Sequence, residues 1–261
     1  VTGASAWRPL LAELDLWHRQ GLSAQFWLRD DDAVAPSVAL ERLARLSERF
    51  SASVLLAVIP MLADEELAAF QRSAPSLLPC QHGVWHRSHS VPGQKNAEFG
   101  AGRDIESALV EIAQGQERLN SLFGPASLPI FVPPWNRIGS ESAARLPGLG
   151  FAGLSCFRGF ALGEDGGPAL ANTHLDIVDW HGGRVGRDAE SLAAELATHL
   201  ARERETPCGR ETIFGILLHH RDHDEMAWGG LGTLLEIIAG HRAARLIDPR
   251  GLFPGGAGLR R

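Results

Sequence analysis

Cysteine is scarce in this chain. The three among 261 residues, Cys80, Cys156 and Cys208, are odd in number, widely spaced and form no Cys-x-x-Cys pair, which argues against a disulfide framework. Basic residues are outnumbered: 25 Lys and Arg stand against 31 Asp and Glu, a formal charge of -6. No basic stripe with interleaved aromatics appears, so no nucleic-acid partner is expected. A run of about 18 apolar residues, the length of a membrane helix, is missing as well. The first residues, Val1 to Trp7, lack the basic start and apolar stretch of a secretory leader, so the expectation is a cytoplasmic protein with reduced thiols. Two common site signatures are also absent. Gly229-Gly230-Leu231-Gly232 has the wrong spacing for a dinucleotide loop, and Gly153-Leu154-Ser155-Cys156-Phe157 is not a nucleophile elbow.

What is present is ordinary in bulk and patterned in detail. Hydrophobic residues at 44% and charged residues at 21% suit a globular protein with ample chain to bury a core. Strands are expected at residues 25–29, 53–59, 77–80, 129–132, 151–154, 173–178 and 212–218. Between them lie helical patterns: Leu10, Leu14 and Trp17 closing at Gly21, then a helix opened by Pro36 and running to Phe50. Asp64 reads as an N-cap, residues 104–123 as a long amphipathic helix, and Ser140 as the cap of a short one. Residues 188–204 and 231–238 complete the set. Residues 91–102 and a Gly-rich stretch near 164–167 read as loops, and 254–261 as a frayed tail. No internal linker interrupts the alternation, so one domain over residues 1–261 is expected. Strand and helix alternating about seven times predict a parallel sheet, closed as a barrel or doubly wound.

The chemically capable residues cluster just after expected strands. His82 and His86 are four apart, a spacing that puts both rings on one face of a helical turn and within reach of one divalent ion. Alone, such a pair is more often chance than site. Asp30-Asp31-Asp32 follows the first strand, and three adjacent carboxylates repel unless a cation neutralises at least one. Along an extended segment, one of them can bind metal while another faces substrate; the competing reading is a solvated loop capping the next helix. Joined to the histidines, the run supplies the third ligand of a catalytic site with an open position for water. His219 and His220 end the last strand, and an imidazole titrating near neutrality is a natural general acid. Exposed loop histidines, or a second metal site with His223 and Asp224, are the alternatives there. Asp176, Asp179 and Trp180 add carboxylates and an aromatic wall, or simply a strand-end cap with a packed indole. A barrel places its site at the carboxyl edge of its strands, where all of these residues fall.

Taken in order, the set resembles the polysaccharide deacetylase family, whose domain is also called the NodB homology domain. The first family motif, Thr-Phe-Asp-Asp-Gly, matches Arg29-Asp30-Asp31-Asp32-Ala33, and the second, His-Ser/Thr-x-x-His, matches His82-Gly83-Val84-Trp85-His86. The third, Arg-x-Pro-Tyr-Gly, is similar to Val132-Pro133-Pro134-Trp135-Asn136. The fourth, Asp-x-x-Asp-Trp, is Asp176-Ile177-Val178-Asp179-Trp180, and the fifth, Leu-x-His, is Leu217-Leu218-His219. The resemblance covers roughly residues 24–240 and implies a deformed (β/α)7 barrel. It further implies a divalent metal on Asp32, His82 and His86, zinc first, with cobalt or nickel as substitutes. Asp31 would be the general base and His219 the donor of a proton to the leaving amine. The Trp135 N–H, beside Asn136, would face the oxyanion; Asp179 would support His219, and Trp180 with Leu217 would wall an acyl pocket. The implied activity is metal-dependent removal of an acyl group from a carbohydrate-like amide, on a small molecule or an oligosaccharide.

The departures are specific. The family's third-motif Arg, the partner of the base, is Val132 here, and either Arg29 or Arg137 is expected to replace its guanidinium. Gly83 stands for Ser/Thr and Ala33 for Gly, which suggests a divergent branch. Two other functions remain open on sequence: hydrolysis of a cyclic amide or imide, as in allantoinase-like proteins, and carbohydrate binding without hydrolysis.

Overall fold

The computed structural model describes residues 3–163, 166–205 and 212–253. In chain order the strands are β1 (Ala24–Ala33), β2 (Val54–Val58), β3 (Leu77–His82), β4 (Leu128–Val132), β5 (Gly153–Leu154) and β6 (Ala169–Leu170). They continue with β7 (Thr173–Asp176), β8 (Val178–Asp179), β9 (Val185–Gly186), β10 (Thr212–Leu218) and β11 (Ala244–Leu246). The helices are α1 (Gly3–Ala6), α2 (Arg8–Arg19), α3 (Val38–Phe50), α4 (Glu65–Ser73), α5 (Ile105–Phe123), α6 (Ser140–Arg145), α7 (Ala189–Glu205) and α8 (Glu225–Gly240).

Neighbouring strands run in the order β6-β5-β4-β3-β2-β1-β10-β7, all parallel. One residue turns this curled sheet back on itself. Thr173 donates its N–H to Cys156 O (3.0 Å) and accepts from Arg158 N (2.8 Å) on the β5 side, while β7 pairs with β10 on the other. Because β6 and β7 are successive halves of one extended segment, the ring closes as a deformed (β/α)7 barrel. β11 adds to the first residues of β1 (Ala24 to Phe26), on the edge whose later residues pair with β2.

Side-chain alternation divides the core between the inner and outer faces of the sheet. Trp27, Leu55, Leu78, Cys80, Ile130 and Val132 fill the barrel interior together with Phe253. A Cβ on Gly153 would run into the Phe253 ring, so only glycine lets that plug seat. The opposite face of the same strands (Phe26, Leu28, Leu56, Leu218) packs on the apolar stripes of α2, α3, α7 and α8. Helix starts are set by side-chain caps: Ser37, Asp64, Asp104 and Asp224 each accept the amide three residues on, an arrangement worth about 1 kcal/mol apiece.

Several expectations need correction. α3 opens at Val38 with Ser37 as its cap, two residues after Pro36, and Ser140 is the first residue of α6 with Gly139 as its cap. The expected strand at 173–178 ends at Asp176, and a short antiparallel pair, β8 with β9, follows it. Cys80 and Cys156 are buried free thiols, and burial pushes Cys156 up to about 12. Cys208, the tail at 254–261 and part of the loop near 164–167 lie outside the described residues. Among the described residues no helix is long and apolar enough to cross a membrane.

Candidate active site

Three donors meet at the carboxyl edge of the barrel. Asp32, near the end of β1, takes a left-handed backbone conformation (φ 69°) that breaks strand alternation and swings its carboxylate toward β3. Its Oδ1 lies 3.1 Å from His82 Nε2 and 3.2 Å from His86 Nε2. His82 is the last residue of β3, and its other ring nitrogen, Nδ1, lies 3.0 Å from Val132 O. That bond assigns a ring proton to Nδ1, so Nε2 donates to Asp32 when the ring is protonated and would present its lone pair to an ion when it is neutral.

His86 does not arrive on a helical turn, as the spacing predicts. Gly83 turns the chain at φ +55°, and a Cβ there would collide with Glu98 and Pro134. The loop then wraps Glu98, whose fully buried carboxylate accepts from Val84 N (3.1 Å) and Trp85 N (2.8 Å). His86 follows at φ 55° with its ring 4.4 Å from that of Trp135. Trp135 and Asn136 also have positive φ (54° and 58°), so four non-glycine residues in this backbone conformation surround one point. Each costs about 1–3 kcal/mol, a pattern typical of functional sites.

The electrostatics agree with the geometry. Burial opposes a charged Asp32, yet the hydrogen bond from His82 and the nearby imidazoles hold its carboxyl far below the usual range. Burial likewise works against protonated His82, but Asp31 and then Asp32 outweigh it and raise its pKa. Burial and His82 together lower His86. Among the described residues this is the one cluster of His, Cys, Asp and Glu donors close enough to share an ion. One carboxylate oxygen and two imidazole nitrogens, one with its tautomer fixed by a backbone carbonyl, fit a divalent cation such as zinc. Glu98 is then a supporting residue absent from any local sequence pattern. Glu98→Gln, which leaves one of two loop amides without its acceptor, should weaken zinc binding about 10–100-fold in a chelator competition.

Beside this cluster, on the interior face of β1, Arg29 and Asp31 form a buried ion pair. The guanidinium Nε donates to Asp31 Oδ1 (2.9 Å) and Nη2 to Oδ2 (3.0 Å). Its remaining donors reach Ser155 Oγ (2.8 Å), Cys156 O (3.1 Å) and Asn136 Oδ1 (2.5 Å). All five N–H groups are therefore used, and the side chain is fully buried. Of the two arginines expected to replace the one missing at Val132, Arg29 holds Asp31. Arg137 instead donates to Asn96 O (2.8 Å) in an exposed loop.

At the end of β10, register places Leu217 beside Arg29, so Leu217 and His219 share the interior face with Arg29 and Asp31. His219 packs at right angles to Trp180, ring centroids 4.6 Å apart. Trp180 Nε1 donates to Asp176 Oδ2 (2.8 Å), and Val178 N donates to Asp176 Oδ1 (2.9 Å). Burial raises the pKa of Asp176, and the nearby His219 works against that rise. Asp179, expected to support His219, instead accepts His181 N (2.9 Å) and Gly182 N (2.8 Å) in the turn between β8 and β9. His220 is not at the mouth but buried behind the sheet against Asp30. His223 and Asp224 form no second metal site: His223 Nε2 accepts His219 N (3.3 Å), and Asp224 caps α8.

No family model matches the sequence, and no curated protein matches it. Solved structures do. A protein from Mycobacterium smegmatis ascribed to the polysaccharide deacetylases superposes with a TM-score of 0.63 at 13% identity, over 86% of this chain and 87% of that one. The Bc1960 peptidoglycan N-acetylglucosamine deacetylase gives 0.55 at 16% identity, over 88% of each chain. A family 4 acetyl xylan esterase from Clostridium thermocellum, solved with a cobalt ion, gives 0.51 at 16% identity, over 87% and 89%. The fold is that of the polysaccharide deacetylases. Within this deacetylase fold, Ser155 against Arg29 and Glu98 under the His82–His86 loop lie outside the five motif stretches.

Proposed function

We propose that this chain is a metal-dependent hydrolase that removes an acyl group, in the first place N-acetyl, from a carbohydrate-like amide. The observation that carries the reading is one barrel mouth that gathers the Asp32, His82 and His86 donors with Asp31 and His219. The named proteins of this fold support the substrate class: one acts on peptidoglycan N-acetylglucosamine, another on acetyl xylan with a cobalt ion in its structure. Zinc is the proposed ion, and cobalt or nickel would substitute. Bound at these donors, it would supply Lewis acidity, polarising the acyl carbonyl and easing deprotonation of water.

The chain's own groups divide the remaining work. Asp31 takes the proton of the attacking water, and the two hydrogen bonds it accepts from Arg29 keep it aimed. The backbone N–H of Trp135 faces the developing oxyanion, and Trp180 with Leu217 walls the acyl pocket. His219 gives a proton to the departing amine, a requirement for an amide because an unprotonated amine leaves poorly. Binding without hydrolysis would suit a site whose base had lost its cation; Arg29 beside Asp31 supports hydrolysis instead.

The test is hydrolysis of N-acetylated oligosaccharides, assayed beside cyclic ureides, by zinc-loaded protein. Turnover of the first and not the second supports the reading; the reverse replaces it with a cyclic amidase. In the same assay His219→Ala should lower kcat on the amide about 100–10,000-fold with zinc content unchanged. Loss of zinc in that variant would reassign His219 as a ligand.

A further inference from the structure

Three consecutive carboxylates end β1, and the site described above uses two. The third, Asp30, is fully buried and turned away. Its register partner is Leu218, so Asp30 and His220 lie on the outer face of the sheet, opposite Arg29, Asp31, Leu217 and His219. Both of its oxygens grip one residue: Oδ1 accepts His220 N (2.8 Å) and Oδ2 lies 2.5 Å from His220 Nδ1. β10 ends at Leu218, so the N–H of His220 lies beyond the regular ladder and takes the carboxylate as its acceptor.

His219, one residue earlier, is held by its backbone. Its N–H donates to His223 Nε2 (3.3 Å) and its carbonyl accepts Asp222 N (2.8 Å). Its ring Nδ1 is buried with no hydrogen-bond partner among the described residues, and the ring rests against Trp180. The aim of this imidazole therefore comes from the chain on either side of it. We propose that the Asp30–His220 pair is a positioning device that ties the end of β10 to the end of β1 and so fixes His219 over Asp31 and Asp32. Its catalytic consequence rests on the reading of His219 as the proton donor. In that role the pair matters only where the leaving group needs a proton.

The experiment compares Asp30→Asn and His220→Gln, each alone and combined with His219→Ala, on an N-acetylated oligosaccharide and on 4-nitrophenyl acetate, whose leaving group departs unprotonated. Each single change should lower kcat on the amide about 10–100-fold, the loss expected of a misplaced group. KM, zinc content and aryl-ester turnover should stay within a few-fold of the unmodified protein. In the His219→Ala background neither change should cost anything further. Equal losses on both substrates, or losses that multiply with His219→Ala, overturn the proposal. NMR provides a readout independent of turnover. The His219 ring C–H resonances, shifted by the Trp180 ring, should move in both variants, whereas unmoved resonances overturn the proposal even in a protein without amidase activity. Asp30→Asn keeps the volume and an acceptor for His220 N–H, so it serves where His220→Gln does not fold.

Discussion

Arg29→Met is expected to destabilise the protein by about 3–5 kcal/mol, the range for removing one partner of a buried ion pair. The side chain is fully buried and makes five hydrogen bonds to four residues on three segments, Asp31, Asn136, Ser155 and Cys156. Removing it leaves the Asp31 carboxylate buried without its cation, and met only by an apolar chain. For a domain of this size such a loss lowers the melting temperature by about 6–20 °C. Arg29→Lys restores the charge but not the planar fork, so it should recover only part of the loss. Arg137→Met is the control. Its side chain is half-buried and bound only to a loop carbonyl, so its effect should stay within about 1 kcal/mol. Equal urea midpoints for Arg29→Met and Arg137→Met would contradict the assignment of Arg29 as the cation of the site.

Asp31→Asn should lower kcat on the acylated substrate about 100–10,000-fold while zinc content stays at the level of the unmodified protein. Asparagine keeps the shape and an acceptor for Arg29 but cannot take a proton from water, and general-base catalysis is worth about that factor. Retained metal separates a base from a ligand, because Asp32→Asn should lose both activity and ion. Zinc lost from Asp31→Asn would make Asp31 a ligand, and unchanged turnover would remove it from the reaction.

The strand ends were legible because period and composition report locally on strands, and because His82, His86, Asp31, Asp32 and His219 carry chemistry wherever they stand. The supporting groups were not. Ser155 is 126 residues from Arg29 and His220 is 190 from Asp30, and only the curl of the sheet and the pairing of β1 with β10 bring them together. Ser155 in a Gly-rich apolar stretch looks like any loop serine until the guanidinium is seen against it. Two misreadings have local causes. The spacing of His82 and His86 fits a helix, but Gly83 and the buried Glu98 bend that segment into an irregular loop instead. Asp176 and Asp179 are equivalent in the Asp-x-x-Asp-Trp pattern. Which of them lies near His219 is decided by β7 ending at Asp176 and by the turn after β8, which takes the Asp179 carboxylate for its own amides.

The most direct test of a metal hydrolase centred on Asp32, His82 and His86 is metal content per chain, by elemental analysis of protein purified without chelator or a histidine tag. The same measurement belongs on Asp32→Ala and His82→Ala. About one zinc or similar ion per chain in the unmodified protein, lost from both variants, is the predicted result. A folded protein that holds no ion after divalent metal is supplied, or variants that hold as much as the parent, would contradict the account.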